Sequence, residues 1–283
     1  WGAALAELLD DPAAFALFGA LLGVILGSFL NVVAHRLPRQ LDRESRAWAR
    51  DLLSLDPDAE VGQSPYNLAW PPSHCPRCEK PLRWFHNLPL VSWLALQGRS
   101  ACCGQPIALS YPLLEGAMGL MTAFLFLRFG LSAQALTLVL LTGTLLALAA
   151  IDSEWQLLPD TLTLPLLWLG LLGAVLGWTP ALRAADAVIG AAAGYLSLWT
   201  LYWGHRLLTK REGMGFGDFK LLAAGGAWLG WQALPQVALL AAASGLAYAL
   251  TARLRGRLDP GQALPFGPFL AAAIWLTAVF GVR

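Results

Sequence analysis

The four cysteines of the chain fall between positions 75 and 103, and their spacing is that of a metal site. His74-Cys75-Pro76-Arg77-Cys78 is a CxxC on a turn, and Cys102-Cys103-Gly104 follows about 25 residues later. Two such turns can each supply two thiolates to a tetrahedral Zn ion, with Zn–S bonds of about 2.3 Å. The second turn departs from the pattern, because a CxxC ending at Cys103 would begin at position 100, which is Ser100. The expected ligands are therefore Cys75, Cys78, Cys103 and a fourth group from Cys102, His74 or His86. A lost site with inert thiols is the alternative. Nothing around the CxxC reads as a thioredoxin βαβ unit, so a redox pair is disfavoured.

A second set of candidates is acidic. Ile151-Asp152-Ser153-Glu154 and Leu158-Pro159-Asp160 follow one apolar run, and Gly215-Phe216-Gly217-Asp218 opens another. A carboxylate at the end of an apolar helix is costly to desolvate, so it needs a partner, water or a chemical task. Two such carboxyls brought together cannot both ionise cheaply, so one keeps a proton. That is the arrangement for acid/base hydrolysis: one Asp deprotonates a water while the other polarises a carbonyl. Gly215 and Gly217 would let backbone pass close to a substrate strand. Helix caps or solvated loop charges are the competing account of the same aspartates, and Asp160 in Pro159-Asp160-Thr161 suits a helix start.

The elements that must carry these residues are membrane helices. Of 283 residues, 57% are apolar and only 13% charged, against roughly 25% charged in a soluble domain. A net charge of +1 gives no basis for a nucleic-acid partner. Runs of about 20 apolar residues predict eight transmembrane helices, over 15–34, 111–127, 132–151, 161–179, 186–204, 219–233, 235–252 and 263–281. Residues 1–14 contain no Lys or Arg, so the first run is expected to be a retained span and not a secretory signal. Trp231-Gln232-Ala233-Leu234-Pro235-Gln236 is the expected hairpin inside a charge-free run of 32 residues, 221–252. With eight spans, sixteen of the nineteen Lys and Arg fall on one side, which the positive-inside rule makes the cytoplasm.

The fold class is thus an all-α, polytopic integral membrane protein in the lipid bilayer, with a small Cys-rich cytoplasmic loop domain. Its expected organisation is an N-terminal segment and first helix over 1–34, a loop domain over 35–110 and a transmembrane domain over 111–283. The loop is expected to begin with a solvated or amphipathic helix over 39–58, ended by Asp56-Pro57-Asp58. The small-residue run Gly190-Ala191-Ala192-Ala193-Gly194 is expected to be a helix-packing face, and Trp93 is among the tryptophans expected at a membrane interface.

With these residues in view, the chain resembles the bacterial prepilin peptidases, the type IV leader peptidases of type IV pilus and type II secretion systems. Gly215-Phe216-Gly217-Asp218 is similar to the GxGD signature of polytopic membrane aspartyl proteases, and Ala150-Ile151-Asp152 with Leu158-Pro159-Asp160 resembles the family's first aspartate segment. Further blocks are Gly27-Ser28-Phe29-Leu30-Asn31-Val32-Val33, His35-Arg36-Leu37-Pro38, Asn87-Leu88-Pro89-Leu90, Tyr111-Pro112-Leu113-Leu114-Glu115 and Pro265-Phe266-Gly267-Pro268-Phe269. The resemblance implies Asp152 and Asp218 as the catalytic pair, supported by Asp160, Gly215 and Gly217. It implies cleavage of the basic leader of type 4 prepilins and pseudopilins at the cytoplasmic face of the bacterial inner membrane. It also implies methylation of the new N-terminal residue from S-adenosylmethionine, an activity to which Gly98 is tied. Ser110 departs from the family's Arg, and Ser100 departs from its third Cys, which leaves a peptidase without methyl transfer as the alternative. A proton-coupled transporter is a distant one, since it would place charged residues deeper along several spans.

Overall fold

The computed structural model describes residues 12–54, 66–75, 78, 80–83, 85, 88–179, 182–210, 213–257 and 264–281. These are helical, with two isolated β-bridges and no strand among them. The chain divides into two compact units, Trp1–Leu131 and Ser132–Arg283.

In the first unit, α1 (Pro12–Leu52) is one helix of 41 residues. The expected first span and the expected loop helix are therefore continuous through Pro38, which lies inside the helix. Its second half is solvated, with Arg46 on Asp42 at 3.0 Å and Gln40 Nε2 donating to Glu44 at 2.9 Å, one turn apart in each case. The expected terminator at 56–58 lies outside the described residues. A short helix, α2 (Val91–Ala95), follows the first cysteine turn, and α3 (Ser110–Phe129) packs along α1. Gly19, Gly23 and Gly27 repeat every four residues on α1, and a Cβ on any of them would strike α3 backbone at 3.0 Å or less. Such small-residue stripes let helices meet without a layer of side chains between them.

The second unit holds α4 (Ala133–Trp155), α5 (Asp160–Leu176), α6 (Ala184–Thr209), α7 (Phe216–Leu229), a 3-10 turn (Trp231–Ala233), α8 (Leu234–Leu254) and α9 (Gly267–Phe280). Ser132 caps α4, accepting the Ala135 N–H at 3.1 Å. Helix α7 is the core: ten of its fourteen residues are buried, so it is apolar all round because protein surrounds it. Gly190 and Gly194 of α6 face Gly226 and Leu222 of α7 backbone to backbone, as the small-residue run predicted. Trp228 of α7 donates its indole N–H to Leu166 O of α5 at 2.8 Å. Gly225 accommodates Ile274 of α9.

Each of the eight expected spans corresponds to a helix, and the expected hairpin is the 3-10 turn entered through Gly230 at φ 82°. Length and hydropathy qualify five segments to cross a membrane: Pro12–Leu52, Ser110–Phe129, Ala133–Trp155, Ala184–Thr209 and Trp231–Leu254. Helices α5, α7 and α9, of 17, 14 and 14 residues, fall short of the length of about 20 that a full crossing takes.

Candidate functional site

The acidic candidates sit at helix ends, Asp152 at the end of α4 and Asp160 and Asp218 at the starts of α5 and α7. Asp152 was expected just beyond its span, but α4 continues to Trp155 and puts Asp152 on the last turn, its carbonyl accepting Gln156 N–H at 2.9 Å. Asp218 lies on the first turn of α7, after Gly215 at the N-cap. Both side chains are buried, 5% and 7% exposed, and their charges are close enough to act on each other. Together with Glu115 of the first unit, they are the buried acidic residues among those described.

The carboxyl of Asp152 is held from a third helix. The backbone N–H of Gly267, which opens α9, donates to Asp152 Oδ2 at 2.9 Å. A Cβ on Gly267 would stand 2.7 Å from that oxygen and 3.1 Å from Leu158 Cδ2. A Cβ on Gly217 would stand 2.7 Å from Leu158 Cβ. Leu158 is thus clamped between two glycines, and Gly217, expected to clear a path for substrate, is required here by Leu158. Gly215 makes only ordinary contact, with Asp218 Oδ2 3.8 Å from an added Cβ. Asp160 is the first residue of α5, with Pro159 at the N-cap, so it does not itself cap the helix. It accepts Lys220 Nζ of α7 at 2.6 and 2.7 Å and ties the two helix starts together.

The four cysteines converge. The sulfurs of Cys75, Cys78, Cys102 and Cys103 all lie within 4.8 Å of one another. Two similar turns present them, each closed by a bridge, His74 to Pro81 and Arg99 to Pro106. Cys75 N–H donates to Lys80 O at 2.9 Å, and Ser100 N–H to Gln105 O at 2.8 Å, so Ser100 occupies in the second turn the place of Cys75 in the first. Its hydroxyl stays with the sulfurs, 3.3 Å from Cys75 and 3.0 Å from Cys102. Cys102 brings a fourth sulfur to the cluster although position 100 is Ser. A tetrahedral site with Zn–S bonds of about 2.3 Å separates its sulfurs by about 3.8 Å, and Cys75 and Cys103 are 3.7 Å apart. The Lys80 backbone N–H favours the Cys78 thiolate, but the thiols of Cys102, Cys75 and Cys103 and the loss of water outweigh it and push the Cys78 pKa up to about 12. A metal ion at the centre would favour thiolate over thiol. The donor set therefore fits zinc. His74 turns away, its Nδ1 3.0 Å from Pro72 O, and His86 lies outside the described residues.

Gly98 has φ 72°, ends the turn after α2, and lies against the ring of Trp93, whose Cζ2 would be 2.9 Å from an added Cβ. Both belong to the frame of the first unit, and Trp93, expected at an interface, lines a cavity there. Spacing alone did not single out Glu115 of that cavity or Gly267 of the dyad. Their only signal was membership of the Tyr111–Glu115 and Pro265–Phe269 blocks.

The fold and this site define a class: a multi-helix membrane protein with two buried aspartates at helix ends and a four-cysteine cluster. Residues 21–129 match the family model described as Bacterial Peptidase A24 N-terminal domain, and residues 139–250 match that of the Type IV leader peptidase family. The chain is 47% identical over 275 residues to a prepilin leader peptidase/N-methyltransferase of Pseudomonas aeruginosa, covering 97% of this chain and 93% of the relative. Proteins of the same description from Stutzerimonas stutzeri (46% identity, 97% and 93% covered) and Aeromonas hydrophila (49%, 92% and 89%) are similar. The chain belongs to the type IV leader peptidase family. No solved structure matches it.

Proposed function

We propose that this chain is a membrane aspartyl endopeptidase that cuts the leader from type 4 prepilins and pseudopilins and then N-methylates the new N-terminal residue. The observation that carries the peptidase half is the burial of Asp152 and Asp218 at the ends of α4 and α7. One carboxylate takes a proton from the attacking water, and the other, as the acid, donates a hydrogen bond to the scissile carbonyl. The Gly267 N–H holds Asp152 in position, and the Asp160–Lys220 pair fixes the start of the helix that carries Asp218. The excess of Lys and Arg in the segments around this end of the helices supports a site at the cytoplasmic face, where a substrate's apolar helix can stay in the bilayer while its leader reaches the pair.

S-adenosylmethionine supplies the methyl group when bound. Zinc on Cys75, Cys78, Cys102 and Cys103 is structural, cross-linking the two turns of the loop domain. The presence of Cys102 among the sulfurs favours this dual reading over a peptidase alone, because it makes good the departure at Ser100.

The test is cleavage of a purified prepilin in detergent by the unmodified chain, Asp152→Asn and Asp218→Asn, with labelled methyl transfer scored on pre-cleaved substrate. Both variants should lose at least about 100-fold in cleavage rate, the contribution of positioned acid/base groups, and keep methyl transfer. Cleavage by either variant at the unmodified rate refutes the dyad.

A further inference from the structure

The first unit contains a cavity of about 370 Å³ lined by residues of that unit, and neither Asp152 nor Asp218 is among them. It lies among α1, α2, the start of α3 and the cysteine turns, and it is in the size range of sites for small organic ligands. A cavity in the second unit holds about 10 Å³, no more than a water.

Two buried charges of opposite sign line the larger cavity. Glu115 of α3 is 8% exposed and accepts the Leu90 N–H at 2.8 Å and Asn31 Nδ2 at 3.2 Å. No Lys or Arg pairs with it among the described residues. Leu90 is held at φ 57° and ψ −47°, a positive-φ conformation unusual for a bulky residue, in the arrangement that delivers its N–H to this carboxylate. Arg36 of α1 is 7% exposed, and among the described residues its hydrogen bonds leave from Nη1 alone, to Asn67 O at 3.2 Å and Leu68 O at 3.3 Å. An unpaired buried carboxylate beside a cavity recruits a cation, and an incompletely used guanidinium recruits a carboxylate. Trp93 and Tyr111 add aromatic wall, which suits both a flat heterocycle and a sulfonium charge.

We propose that this cavity binds the methyl donor, with Glu115 facing its positive charge and Arg36 its carboxylate. The inference rests on the methyl-transfer half of the proposed function. S-adenosylmethionine is a zwitterionic amino acid with a sulfonium and a purine, and it matches both wall charges and the aromatic surface. The methyl acceptor, a peptide N-terminus, offers an ammonium but no carboxylate for Arg36. Cys75 and Ser100 form part of the wall, so the cysteine cluster shapes the cavity.

The experiment is equilibrium dialysis of tritiated S-adenosylmethionine against the purified full chain in detergent, with S-adenosylhomocysteine as competitor. Glu115→Gln should weaken binding by about tenfold or more, the loss of one buried charge contact, while prepilin cleavage continues at the unmodified rate. Ala108→Trp, at an exposed position on the cavity wall, should block binding in the same way and serves if Glu115→Gln fails to fold. Unchanged donor affinity in both folded variants overturns the site while leaving the methyl-transfer reading intact. Unchanged donor affinity with a raised KM for cleaved peptide overturns it in favour of the acceptor. An unmodified chain that cleaves but neither binds the donor nor methylates overturns the site and that half of the function together.

Discussion

Replacing Gly267 by alanine adds one methyl group at the point where α9 touches the Asp152 carboxyl, and the consequence can be worked from three distances. The new carbon would stand 3.0 Å from Asp152 Cγ, 2.7 Å from its Oδ2 and 3.1 Å from Leu158 Cδ2. Non-bonded carbons rest at about 3.5 to 4.0 Å, so the carboxyl or the helix must move by about 0.5 Å. Leu158 has little room to absorb the shift, because Gly217 also packs against it, with an added Cβ there only 2.7 Å from Leu158 Cβ. Forcing a methyl group into a packed site costs about 1 to 3 kcal/mol. Where the displaced atoms are the reacting ones, that energy appears in the transition state, and each 1.36 kcal/mol is tenfold in rate. Gly267→Ala should therefore lower kcat/KM for prepilin cleavage by about 10- to 100-fold. Methyl transfer to pre-cleaved substrate, measured on the same preparation, reports whether the chain is folded and should be unchanged. Gly245→Ala is the matched control, since its nearest neighbour, Phe269, lies at an ordinary 3.5 Å, and it should stay within about twofold. A Gly267→Ala variant that cleaves at the Gly245→Ala rate would refute the contact and with it the role given to the Gly267 N–H.

The Asp160–Lys220 pair is partly exposed, with side chains 53% and 28% accessible, so it is a weak brace. Asp160→Asn should reduce kcat/KM by less than about fivefold, consistent with at most about 1 kcal/mol for an exposed ion pair; a loss as large as that of Asp152→Asn would make Asp160 a catalytic group. The metal cluster gives a sharper test. Purified protein should carry one zinc per chain by elemental analysis, Cys102→Ser should lose it, and Ser100→Cys in the Cys102→Ser background should regain it, because position 100 stands 3.3 Å from Cys75 among the same sulfurs. Full zinc retention in Cys102→Ser would remove Cys102 from the ligand set.

Much of this site is legible in the sequence because membrane helices are written as long apolar runs, and functional residues interrupt them. Asp152, Asp218 and the cysteine turns stand out by their chemical cost or their spacing. What was less legible concerns boundaries and long-range contact. Helix α4 keeps Asp152, Ser153 and Glu154 in its last turn because the backbone ladder continues to Gln156 even where the side chains turn polar. Helix α1 runs unbroken from apolar to charged sequence, and a hydropathy boundary at 34 is no boundary for its hydrogen bonds. Helices α5, α7 and α9 are apolar enough to read as spans, yet α7 is apolar because other helices enclose it, a distinction that hydropathy cannot make. The contact between Gly267 and Asp152 joins positions 115 residues apart, and no spacing rule reaches that far. Glycine at such a place is a record of how closely a backbone must approach a functional oxygen. The same reasoning applies to Gly98, whose empty Cβ position is filled by the Trp93 ring. A larger residue there would displace Trp93, which lines the cavity, so a change at Gly98 acts on the cavity wall through packing.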